Sequence, residues 1–228
     1  MKVKLPLLTL EIGGLFVILG LVLFLAAGSL LWPSGWIFLL LFFGFTLALS
    51  LWLLKSNPDL LTERMTGIGK ADQKTWDKIF YVLANLLFLA WLAVAPLDAV
   101  RFHWSQMPLV IQIIGRLMLL CSFYLFYLVF RENSYLSPAV RVQADRGQTV
   151  ISTGPYSYVR HPMYATALLF LVGATLLLGS WYGLLPVLVL FLGIAVRAVQ
   201  EERTLQAELP GYTDYMQRVR YRFIPLLW

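Results

Sequence analysis

The chain has 228 residues, of which 60% are hydrophobic and 13% charged, and a net charge of +6. A soluble domain is nearer half apolar and a quarter charged, so this composition excludes an ordinary soluble globular protein, and with it a basic groove for nucleic acid. The single cysteine, Cys121, excludes an internal disulfide. Two histidines, His103 and His161, are too few for a metal centre built on imidazoles, and no metal is expected.

Apolar runs follow one another along the chain: Ile12–Leu31, Trp36–Leu54, Ile79–Leu97, Leu109–Phe130, Met163–Leu178 and Tyr182–Val199. A hydrocarbon core of roughly 30 Å takes about 20 helical residues, and a helix satisfies its own backbone polar groups inside a bilayer. The expected fold is therefore all-α: a polytopic membrane protein of about six transmembrane helices. The start, "MKVKLPLLTLEIGG", precedes an apolar run too long for a signal peptide, so a retained first span is expected. The short connections "WPSG" and "GSWYG" predict two antiparallel helical hairpins.

All lysines and arginines except Arg101 and Arg116 fall in the N-terminal tail, in 55–78, in 131–162 or from Arg197 onward. Basic residues favour the cytoplasmic side, which predicts both termini there. Trp32, Trp36, Trp104 and Trp181 lie at the opposite ends of the spans and read as interface anchors.

Polar residues are sparse in the first spans, where Asn85 reads as a helix-packing group, and crowd the last hundred residues. That contrast divides the chain into a four-span scaffold, 1–130, and a functional region, 131–228, in which the last helical hairpin and the tail form a pocket. In "RHPMY", Pro162 suits a first helical turn and Tyr164 an interface, but neither explains His161. Beside a helix N-terminus, His161 and Tyr156 would favour an anion. In "RAVQEERTL", Glu201 and Glu202 follow the C-terminal end of a span, where the helix dipole disfavours negative charge. Arg197 lies four residues before Glu201, on the same helical face. An exposed ion pair is worth only about half a kcal/mol, too little to account for the placement, so these acids are assigned to function.

"TGPYSYVRHPMY", then "EERTL", then "GYTDYMQRVRYRFIP" resemble the isoprenylcysteine carboxyl methyltransferase and phospholipid methyltransferase superfamily. The resemblance covers residues from about 140 to 228, and the first four spans carry none of it. It implies an integral membrane enzyme that takes a methyl group from S-adenosylmethionine in a pocket at the cytosolic edge. Carried over residue by residue, it implies that Gln148, Thr149, Val150 and Ile151 line the cofactor, with Tyr156 and the run His161, Pro162, Met163 and Tyr164 completing that wall. Glu201 would bind the cofactor from the last span, Gln143 would contact it from upstream, and Arg197 would face the methyl acceptor. The chemistry is consistent: a carboxylate suits an ammonium or ribose hydroxyls, and tyrosine faces suit a sulfonium.

An acceptor carboxylate is ionised at neutral pH and needs no base, whereas an amine or thiol requires one, for which Glu202 or His161 would serve. The expected partners are membrane lipids and a lipophilic acceptor reached from the bilayer, in a bacterial inner membrane or an endoplasmic reticulum. Isoprenylcysteine-type carboxyl methylation is the first expectation. Phospholipid or small-molecule N- or S-methylation is the alternative, and an NADPH-dependent sterol reductase, whose C-terminal pattern is similar, is the alternative of another class.

Overall fold

The computed structural model describes residues 5–66, 69 and 73–228. Lys2, Lys4 and Lys70, which contribute to the expected charge asymmetry, lie outside the described residues. The described chain is helical, with no strand: α1 (Leu5–Ala27), α2 (Pro33–Ser56), α3 (Pro58–Thr66), α4 (Thr75–Pro96), α5 (Leu109–Glu132), α6 (Pro162–Leu178), α7 (Leu184–Glu208) and α8 (Tyr212–Arg218). Five of these helices are long and apolar enough to cross a membrane, and α6, at 17 residues, is the short one. Each of the six expected spans has its helix. Their outer faces expose large apolar side chains such as Leu10, Leu25, Leu40, Val110 and Leu117, as an integral membrane protein requires.

The element ends differ in ways that matter for the site. The helix expected to stop at Val199 runs on to Glu208, because "QEERTLQAE" is rich in strong helix formers. Glu201 and Glu202 therefore sit on helix, not on loop. The third span begins earlier than expected, at Thr75, which brings Asp77 into its first turn. Trp32 is not an interface anchor: it is buried, edge-on to Phe24 and packed over Gly35. Trp36, Trp104 and Trp181 are exposed, as expected of anchors.

Two devices hold the bundle in register. First, α5 and α6 cross with backbones almost in contact: a Cβ on Gly115 would stand 2.5 Å from the backbone nitrogen of Leu177, and one on Gly173 2.8 Å from that of Leu119. Small residues at such a crossing let dispersion forces act over the whole helix face. Second, Pro96 ends the regular part of α4 and a wide turn, Leu97–Arg101, follows, placing Asp98 in the interior. One carboxylate oxygen of Asp98 accepts from the hydroxyls of Ser105 (2.6 Å) and Ser180 (2.5 Å) and from the backbone N–H of Tyr182. These bonds fasten α4 to the α6–α7 turn. That turn opens at Gly179, whose φ of 84° closes α6 with a left-handed cap.

The core between these ends is aromatic. Trp91, fully buried, donates to the Thr175 hydroxyl at 2.7 Å, and Phe38, Phe42, Phe123 and Phe126 surround Phe170. The opposite end of the bundle carries α3, the 131–162 connection, α8 and the tail.

Candidate active site

Three buried ion pairs bind the long connection and the tail to the helix ends. Arg141 meets Glu63 of α3 with two nitrogens, Nε at 3.3 Å and Nη2 at 3.1 Å, and the same carboxylate accepts from Ser137. Arg197 of α7 donates through Nε to Asp77 of α4 at 2.9 Å and through Nη2 to the carbonyl of Pro138. Asp77 also accepts from the Val140 backbone and from Gln73. Arg160 donates through Nε to Glu202 at 2.6 Å and through Nη1 to the carbonyls of Val219 and Arg220. Arg222 and His161 complete the shell of Glu202, at 2.9 and 3.1 Å. Charges this deep are tolerable only when paired and fully hydrogen-bonded, and here the pairs fix where the polypeptide runs.

The enclosed space is a cavity of about 380 Å³ between α4, the 131–162 connection, α6, α7 and α8, within the range of small-molecule and cofactor sites. Of the residues expected there, Gln148, Thr149, Val150, Ile151, Tyr156, His161, Met163, Tyr164, Arg197 and Glu201 line it. Glu201 and the Tyr164 hydroxyl share a hydrogen bond at its polar end. The Tyr164 ring stacks on His161, with centroids 5.3 Å apart, and faces the Arg197 guanidinium.

Gln143, Pro162 and Glu202 are not in that wall. Gln143 is buried within the connection, bonded to Gln148, Arg146 and the Tyr135 carbonyl, so it shapes the loop that carries Gln148–Ile151. Pro162 opens α6. Glu202, 3% exposed, points at the tail, because successive helical residues diverge by about 100°. Just ahead of α6, the N–H groups of Arg160 and His161 donate to the Tyr221 and Arg222 carbonyls, which ties the helix entry to the tail. The intrahelical Arg197–Glu201 pair gives way to the stronger geometry of Asp77. Asn85 is exposed and donates within its own helix, to the Tyr81 carbonyl, at the edge of the cavity.

The structure also adds residues. Arg64, Phe80, Tyr81 and Phe88, all from the supposed scaffold, line the cavity, as do Tyr212 and Tyr215 of α8. Tyr215 donates to the Tyr156 carbonyl at 2.7 Å and closes the lid, while the buried Tyr212 hydroxyl has no partner among the described residues. Burial above all, then the charge of Glu201, raises the Tyr212 hydroxyl pKa above its ordinary value, so it is a neutral donor seeking an acceptor. Burial raises Tyr156 likewise, against its bond from Asn133. Tyr212 stands in a quoted motif, but only its lack of a partner singles it out.

Residues 110–209 match the model of the phospholipid methyltransferase family. This segment is a phospholipid methyltransferase family domain. No curated protein matches the chain. The methyltransferase domain begins at α5, so the family likeness reaches back into the fourth span, further than the motifs alone indicated, and it ends just after α7. The cavity is wider than the domain: α3 and α4 contribute one wall and α8 the lid.

Proposed function

We propose that the protein is an S-adenosylmethionine-dependent methyltransferase whose cavity faces the cytoplasm and accepts a lipophilic carboxylate, in the manner of isoprenylcysteine carboxyl methylation. The observation that carries this reading is the division of the cavity. Glu201, Tyr164 and the unpartnered Tyr212 hydroxyl stand at one end; Ala84, Phe88, Leu171, Leu190 and Ile194 line the other.

The residues present suit the donor. The Glu201 carboxylate would take an ammonium or ribose hydroxyls through charge-assisted bonds. The backbone of 148–151 and the faces of Tyr156 and Tyr164 would hold the remaining polar and aromatic parts, and an orphaned buried hydroxyl at Tyr212 gains most from a ligand acceptor. Bound S-adenosylmethionine supplies an electrophilic methyl group. The protein's own contribution is alignment and exclusion of water, for which the Tyr212–Tyr215 lid and the ion pairs beneath it are built.

The commitments of the candidate bases bear on the acceptor class. Both Glu202 oxygens are engaged by Arg160, Arg222 and His161, so Glu202 is not set up to take a proton, which leaves His161, through the ring nitrogen turned away from Glu202, as the base that an amine or thiol would need. A carboxylate acceptor needs no proton removed, so ester formation makes no demand on that nitrogen and is the simplest chemistry for this site. The basic side chains at this end of the bundle support its assignment to the cytoplasm. The test is incubation of the purified protein in lipid with radiolabelled S-adenosylmethionine and a membrane extract. Base-labile label in a lipophilic product is expected; base-stable label would assign an amine or thioether, and no label with tight NADPH binding would assign a reductase.

A further inference from the structure

Three guanidinia around the site, those of Arg141, Arg160 and Arg197, each have a buried carboxylate. Arg64 on α3 has none. It is half-buried and makes no hydrogen bond or ion pair among the described residues; its guanidinium lies 5.4 Å from the ring centroid of Phe130. The carboxylate next to it in sequence, Glu63, is committed to Arg141 and Ser137. Arg64 lines the main cavity and also a second cavity of about 230 Å³, whose other walls include Phe42, Phe45, Phe126, Phe130 and Phe170. Among the described residues, no other belongs to both linings.

An uncompensated cation between two low-dielectric spaces is costly, and a ligand that brings an anionic oxygen removes the cost. A purely apolar ligand would fill the phenylalanine-lined space and leave Arg64 as it is. We infer that Arg64 recognises the acceptor: an amphiphile whose anionic oxygen group, a carboxylate under the function proposed above, meets the Arg64 guanidinium while its hydrocarbon tail occupies the phenylalanine-lined cavity. The inference rests on the methyltransferase reading for the word acceptor alone; the anion site itself rests on the missing partner and on the two cavities. The guanidinium also suits a forked contact with a carboxylate, which would hold that group at the junction with the donor cavity.

The methyl donor also carries a carboxylate, so the test separates the two sources. The purified full-length protein in nanodiscs is titrated with a fluorescent fatty acid and with the fatty alcohol of the same chain, and separately with S-adenosylmethionine by calorimetry. The wild type is expected to prefer the acid by about tenfold to a hundredfold. Arg64→Gln removes that preference and leaves the S-adenosylmethionine affinity within about twofold, and Arg64→Lys, which keeps the charge, retains part of the preference. Gel filtration checks that both variants remain monodisperse. Equal wild-type affinity for acid and alcohol overturns the inference, as does a preference that survives Arg64→Gln. A tenfold loss of S-adenosylmethionine affinity in Arg64→Gln with the acid preference unchanged also overturns it, and gives Arg64 to the donor. A wild type that binds no S-adenosylmethionine but prefers the acid through Arg64 sinks the methyltransferase reading and leaves the anion site standing.

Discussion

Arg197 of α7 and Asp77 of α4 meet at 2.9 Å, Nε to Oδ1, with Asp77 fully buried and Arg197 9% exposed. The pair joins the helix that bears Glu201 to a helix outside the family domain, and through Pro138 and Val140 it also holds the connection that roofs the cavity.

Asp77→Asn leaves the guanidinium buried without its counter-charge. The expected loss of stability is about 3–5 kcal/mol, read as a lowered melting temperature in detergent. Replacing both partners with apolar residues of similar size is expected to recover most of that loss, since the desolvation of two charges disappears with the pair.

Gly173→Ala tests the α5–α6 crossing. The added Cβ meets backbone at 2.8 Å, which no side-chain rotation relieves, so a loss of about 1–3 kcal/mol is expected. The same change at Gly44, whose Cβ would meet nothing within 4 Å, is expected to leave the melting temperature unlowered.

Glu202→Gln removes the charge on which Arg160, His161 and Arg222 converge. The tail from Val219 onward is expected to open, seen as faster amide exchange and protease cleavage there, while α1 and α2 keep their protection. A general base would instead lose turnover with the tail still protected.

Tyr212→Phe is expected to act in opposite directions on folding and binding. Removing a buried hydroxyl that has no partner is neutral or stabilising, by up to about 1 kcal/mol. The same change weakens S-adenosylmethionine by roughly fivefold to thirtyfold if the hydroxyl bonds the donor. Calorimetry and melting curves on one preparation check both.

The spans were legible because apolar length is a property of consecutive residues, and the wall of the cavity was legible where neighbouring residues carry it, as in Gln148–Ile151 and in His161, Met163 and Tyr164. Arg197 and Glu201, four apart on one helical face, both line the cavity as the spacing predicts. Glu201 and Glu202 looked alike in sequence. Helical geometry sends one to the cavity and the other to the tail, and that split depended on α7 continuing past the apolar run. Asp77 was hidden because an acid in a first helical turn is ordinary; only its partner 120 residues away gives it meaning. Arg64 was hidden for the converse reason, since a missing partner cannot be read from a list of charges.

Under the function proposed above, Glu201 grips the methyl donor from α7. Calorimetric titration of S-adenosylmethionine into wild type and Glu201→Gln, with NADPH as the comparison ligand, measures it directly. The wild type is expected to bind S-adenosylmethionine over NADPH, and the variant to lose about tenfold to a hundredfold in affinity with its melting temperature preserved. Equal affinity in both proteins, or binding of NADPH alone, would contradict it.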